Sequence, residues 1–171
     1  MMPTMTVPAD LKLTMSITPE TYLRVTLLLE EYGRLIDEDR LEEWIELFAP
    51  RCHYEILSRE NRDQNLPLSL MLCDSKDMLH DRIYSLRNAN IYNIHSDCHI
   101  IGPARVVPMA DGLEVSAAYS LFQTDQSGKS WLFSVGRYNL VLVEDDRQLR
   151  IAKQIVVVDT GGIISLLSTP I

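Results

Sequence analysis

Apolar residues between Tyr22 and Ile36 recur every three or four positions: Tyr22, Val25, Leu28, Leu29, Tyr32, Leu35 and Ile36. That spacing makes one stripe along an α-helix. Thr18-Pro19-Glu20 starts it, because Thr caps well, Pro is tolerated at the first helical position and Glu favours the positive end of the dipole. The acidic link Asp37-Glu38-Asp39 offers the next cap. A short second helix follows, with Leu41, Trp44, Leu47 and Phe48 on one face and Pro50 as its stop. Beyond Pro50 the pattern changes. Cys52 to Leu57 alternates like a strand, Ser58 to Pro67 is a polar loop, and Ser69 to Cys73 is a further short strand. Asp74 or Ser75 caps a third helix with Met78, Leu79, Ile83 and Leu86 facing inward. From Ile94 onward the chain is nearly all strand. Leu113, Val115, Ala117, Tyr119 and Leu121 alternate with polar or small residues, between turns at Asp111-Gly112 and at Asp125 to Lys129. Trp131 to Val143 and Leu149 to Val158 are two more long strands, joined by an acidic turn.

Helices first and then a meander of long strands predict an α+β fold. A curved antiparallel sheet whose concave face is covered by the N-terminal helices buries the stripes on both. That architecture is similar to the cone of the nuclear-transport-factor-2-like (NTF2-like, SnoaL-like) proteins, and the resemblance implies a pocket between sheet and helices. Residues 1–17, with two prolines and no periodicity, are expected to form a mobile arm, and residues 18–171 a single domain. The apolar tail Ile163 to Leu167 follows Gly161-Gly162 and has no obvious place in a closed cone, so it is expected to be an interface element.

A chain of 171 residues suits one such domain, and 46% hydrophobic residues suffice for its core. The net charge of -8 argues against a nucleic-acid partner, whose phosphates demand clustered positive charge. Cys52, Cys73 and Cys98 cannot all pair within the chain and form no CxxC, which points to a reducing compartment. No signal peptide or membrane span is legible, so a soluble cytoplasmic protein is expected.

Two constellations offer chemistry. His95-x-Asp97-x-His99 places two imidazoles and a carboxylate on one face of a strand, the ligand types of non-haem iron sites. Along a straight strand these residues span roughly 13 Å at about 3.3 Å per residue, too far to converge on one ion without a bend. They are read as polar residues on a surface or interface face. The second constellation is the pocket itself, for which Asp37, His53, His95, His99, Tyr32 and Tyr54 are available. An Asp in an apolar cavity can act as a general base. Against this, Asp37 lies in an acidic turn where it is placed to cap the next helix, Tyr32 belongs to the core stripe and Tyr54 to an alternating strand. Lys76, Arg82 and Arg87 read as a solvated helix face. No nucleophile elbow, phosphate loop or dinucleotide fingerprint is present.

The run Leu35-Ile36-Asp37, Leu41, Trp44, Leu47-Phe48 and Cys52-His53-Tyr54 resembles the opening of the small, or β, subunits of aromatic-ring-hydroxylating dioxygenases. Arg59-Glu60-Asn61-Arg62, Asp81-Arg82-Ile83 with Leu86-Arg87, Gly136-Arg137-Tyr138, Leu149 to Lys153 and Val157-Val158-Asp159 extend the likeness from about Tyr22 to Asp159. Asp77-Met78-Leu79 and Ala89-Asn90-Ile91-Tyr92 look closest to small subunits acting on aromatic acids, those of terephthalate dioxygenases and salicylate hydroxylases. The resemblance implies a non-catalytic structural subunit with no cofactor of its own. It implies that the catalytic α subunit carries a Rieske [2Fe-2S] cluster and a mononuclear Fe(II), and that this chain forms a trimer within a complex of three large and three small chains. This sequence lacks the cysteine-histidine pairs a Rieske cluster needs. The alternative from the fold resemblance is a free-standing lyase or isomerase using Asp37, His53 and His99.

Overall fold

The computed structural model describes residues 17–159, 162–163 and 166–171. The expected mobile arm falls, but for Ile17, outside the described residues. Helix α1 (Pro19–Asp37) begins where Thr18 Oγ1 accepts the Thr21 N–H at 3.1 Å, and it buries Val25, Leu29, Tyr32, Leu35 and Ile36. Tyr22, in its first turn, stays 40% exposed. Helix α2 (Leu41–Ile45) buries Leu41, Trp44 and Ile45. Here the expectation needs correction: Leu47 lies beyond the helix, and Phe48 opens strand β1 (Phe48–Ser58), which runs through Pro50. Pro50 is tolerated because the pairing register shifts between Phe48 and His53, so its missing N–H falls in an irregular stretch.

The loop expected after Ser58 contains a short helix, α3 (Arg59–Asp63), because Ser58 accepts the Asn61 N–H at 3.1 Å. Strand β2 (Met71–Cys73) and helix α4 (Lys76–Asn88) follow, the latter capped by Ser75. Leu79, Ile83 and Leu86 face the core, whereas Met78, expected inside, is 42% exposed. Strands β3 (His95–Ile101), β4 (Arg105–Met109), β5 (Gly112–Asp125), β6 (Ser130–Asp145) and β7 (Gln148–Val158) complete the regular structure of the described residues.

The sheet order is β2-β1-β7-β6-β5-β3, with β4 beside β5 along the same edge as β3. Its ladders are antiparallel with one exception, β1 against β7, which is parallel (Tyr54 opposite Gln154, Ile56 opposite Val156). This corrects the purely antiparallel expectation. Hairpins join β4 to β5, β5 to β6 and β6 to β7, but β1 meets β7 only after the whole meander, so no turn constrains its direction. Irregularities between Leu121 and Phe122 and between Val141 and Leu142 interrupt the long central ladders, and bulges of this kind bend and twist strands. The result is the cone expected from the sequence, an NTF2-like α+β fold.

Trp44 sits at the centre of the core. Its ring meets Phe48 at 4.8 Å, Tyr54 at 5.5 Å and Tyr32 at 5.7 Å between centroids, all edge-on. Tyr138 stacks on Tyr119 at 4.5 Å and meets Tyr32 at 5.6 Å. Gly33 lets β3 lie across α1, since a Cβ there would stand 3.2 Å from His99 Cβ.

Candidate functional site

The alternation that buries Val115, Ala117, Tyr119 and Leu121 continues to Gln123, and the strand beside it turns His95, Asp97 and His99 to the same interior. These three were expected on an outer face. Their side chains are instead 9%, 6% and 1% exposed, while Cys98 and Ile100 between them face solvent. The cause is Asp37. Placed at the end of α1, its carboxylate accepts the His99 backbone N–H at 2.9 Å and bonds His99 Nδ1 at 2.5 Å. Asp37 therefore fastens the edge strand to the helix instead of capping α2. His99 Nε2 is buried and has no hydrogen-bond partner.

His53 does not join this pair. It alternates with the inward Tyr54 and lies on the outer side of β1, with Nδ1 2.8 Å from Asp74 and Nε2 3.2 Å from Glu55. The trio Asp37, His53 and His99 is thus not assembled. A cleft of about 670 Å³ between α1 and the β3–β4 edge is lined by Tyr22, Leu29, Asp37, His99 and Ile101 among others. Among the described residues, no group of three or more His, Cys, Asp and Glu is arranged to hold a metal ion. His95 Nδ1 is engaged by the Asn93 carbonyl at 2.6 Å and His99 Nδ1 by Asp37, whereas His99 Nε2 and Asp97 Oδ1 are buried without a hydrogen-bond partner.

Two interior tyrosines, Tyr32 and Tyr54, donate hydrogen bonds. Burial raises Tyr32, Tyr54 and Tyr138 well above the ordinary phenol range and pushes Tyr119 up to about 12. A phenol so raised keeps its proton near neutrality. Tyr32 Oη donates to the backbone oxygen of Ile171 at 2.7 Å, Tyr54 Oη bonds the same oxygen at 3.1 Å, and the Ile171 N–H donates to Tyr54 Oη at 3.0 Å. The last residues of the tail therefore lie inside the cone. Ser168, Pro170 and Ile171 are buried, whereas Leu166, among the described residues of the expected interface segment, is exposed. Arg82 is not a solvated residue of α4: its guanidinium donates to the carbonyls of Leu167 and Ser168 at 3.1 and 3.3 Å. Arg87 is likewise engaged, by Asp39 and Glu42, and Lys76 by Glu46.

Burial also raises the Asp97 carboxyl above its usual range, against the opposing pull of His95 and of hydrogen bonds from Gln123 and Thr169. A raised carboxyl pKa means that the folded chain holds the proton more tightly than the unfolded chain. The associated stability is present below the ordinary Asp value and is lost as pH rises through the folded value. Asp97→Asn should therefore raise the melting temperature at pH 7, with the gain shrinking to nothing as the pH falls below 4. Thermal scans across that range check it, and an unchanged or lower melting temperature at pH 7 contradicts it.

Residues 32–165 match the family model for the ring hydroxylating beta subunit. The chain belongs to that family. It is 36% identical over 153 residues to the anthranilate 1,2-dioxygenase small subunit of Burkholderia cepacia, covering 89% of this chain and 95% of that protein. It is 32% identical over 142 residues to a β subunit of the terephthalate 1,2-dioxygenase terminal oxygenase component of Comamonas sp., covering 82% and 92%. The crystal structure of the β subunit of a candidate aromatic-ring-hydroxylating dioxygenase from Novosphingobium aromaticivorans superposes with a TM-score of 0.81 at 35% identity, covering 89% of this chain and 97% of that one. This β subunit is therefore part of an oxidoreductase, a ring-hydroxylating dioxygenase in which a catalytic α subunit is its partner. Among the described residues of the β subunit, no helix is long and apolar enough to cross a membrane.

Proposed function

We propose that this β subunit is a non-catalytic scaffold for a cytoplasmic dioxygenase acting on an aromatic acid, and that three copies assemble with three α subunits. The observation that carries the scaffold reading is the filled interior. Aromatic rings from α1, α2, β1, β5 and β6 and the tail's Ile171 fill the middle of the cone, and the cleft lined by Asp37 and His99 lies to one side, between α1 and the β3–β4 edge. The family implies that the Rieske [2Fe-2S] cluster and the mononuclear Fe(II) belong to the α subunit. The aromatic-acid reading follows from the named substrates of the two relatives, anthranilate and terephthalate. Exposed Leu68, Ile91, Ile94 and Ile100 are the apolar surface expected of a chain that works in a complex. The pair Asp37–His99 favours a free-standing lyase or isomerase, but His53, the third member of that set, lies on the opposite side of β1.

Co-expression with the α subunit tests the assignment. The two chains should elute as one complex in equal numbers, with all iron bound by the larger chain. The β subunit purified alone should carry no stoichiometric metal. About one metal per β subunit, lost in His99→Ala, contradicts it.

A further inference from the structure

The tail is held inside the cone as a ligand is held in a site. Arg82 of α4 grips two successive carbonyls, those of Leu167 and Ser168. Thr169 Oγ1 donates to Asp97 of β3 at 3.3 Å. Tyr32 of α1 and Tyr54 of β1 converge on one oxygen of Ile171, and Tyr54 also takes its N–H. The Ile171 side chain is 0% exposed and belongs to the core. Four elements, α1, β1, α4 and β3, thus supply a donor pair for that Ile171 oxygen, an acceptor for an amide N–H, an apolar socket and a cation for the backbone behind it. That is the complement of a short peptide with a branched apolar residue, and burial keeps the two phenols protonated as donors.

We infer that the interior of the cone is a peptide-binding site whose ligand is this chain's own segment 166–171, and that this occupancy closes the interior to other small molecules. The segment is connected to β7 through residues 159–165, which include Gly161-Gly162, so its seat is separable from the strand that precedes it. The inference concerns this chain alone and holds whatever the large subunit does.

The test is a chain lacking residues 166–171, with the peptide Leu-Leu-Ser-Thr-Pro-Ile supplied in trans. The shortened chain should melt about 10 °C or more below the full chain. The peptide should bind it one to one and recover about half or more of that loss in a saturable way, as expected for a ligand of the folded state alone. Tyr54→Phe in the shortened chain, or Ile171→Asp in the peptide, should weaken binding by roughly tenfold or more, the scale of one buried hydrogen bond or a misplaced charge. Melting within about 2 °C of the full chain, or a folded shortened chain that ignores the peptide at about 1 mM, overturns the inference. If the shortened chain does not fold, amide exchange in the full chain decides. The Ile171 N–H should exchange at least about 100-fold more slowly than an open amide, and Tyr54→Phe should remove most of that protection. An unprotected Ile171 amide overturns it.

Discussion

Trp44→Ala should destabilise this β subunit by about 3–5 kcal/mol, the range for deleting a fully buried aromatic ring. For a chain of this length that corresponds to a melting temperature roughly 6–20 °C lower, at about 2–4 °C per kcal/mol. The loss should fall at the high end, because the walls of the space left behind cannot close easily. Trp44 is 0% exposed and touches rings from α1 and β1. Two of its neighbours, Tyr32 and Tyr54, are held in place by the backbone of Ile171. Chemical denaturation of the isolated subunit measures the loss, and the yield of assembled dioxygenase should drop with it. A cost below about 1 kcal/mol would show that the ring is not the centre of the core.

Gly136→Ala should be nearly as damaging, for the opposite reason. A Cβ at Gly136 would stand 2.1 Å from the Val157 carbonyl oxygen and 3.0 Å from Tyr119 Cε1. The first neighbour is backbone in the β6–β7 ladder, and the second is one ring of the Tyr119–Tyr138 stack, so neither can swing aside cheaply. Forced overpacking typically costs about 1–3 kcal/mol and occasionally more, and a contact with backbone belongs at the top of that range. Gly102→Ala is the matched control. Its Cβ would meet Ala118 at ordinary contact distance, 3.5 Å, and should change stability by less than about 0.5 kcal/mol. Equal effects of the two substitutions in thermal unfolding would contradict the packing account.

What was legible in the sequence was local. The stripe from Val25 to Ile36, the caps Thr18 and Ser75 and the alternation from Val115 to Leu121 each depend on neighbours within a few residues, and each appears as read. The same alternation, carried two residues further, would have placed Gln123 inside. Non-local pairings left no such trace. Asp37 and His99 are 62 residues apart, and β1 meets β7 across the whole meander. Strand β3 misled for a definite physical reason. Both of its faces mix polar and apolar character, and the more apolar one, with Cys98 and Ile100, faces outward. A period of two reports only which residues share a face, and the core side must come from elsewhere. Arg82 and the tail were missed on similar grounds, since no spacing in the chain links an α4 guanidinium to carbonyls 85 residues away. The family resemblance, by contrast, rested on motifs strung along the chain in order, and order survives without knowledge of contacts.

The claim that this subunit supports chemistry without performing it is tested most directly by turnover per iron site in the assembled dioxygenase carrying Asp37→Asn in the β subunit. Asp37 is the strongest candidate base in the chain, bonded to both the ring and the backbone of His99. Size and iron content would first establish that the complex is complete. Turnover normalised to iron should then stay within a few-fold of the unaltered enzyme, whereas loss of a general base costs typically about 10²–10⁴-fold. A hundredfold drop in a fully assembled, iron-replete complex would contradict the scaffold account and make Asp37 and His99 part of the active machinery.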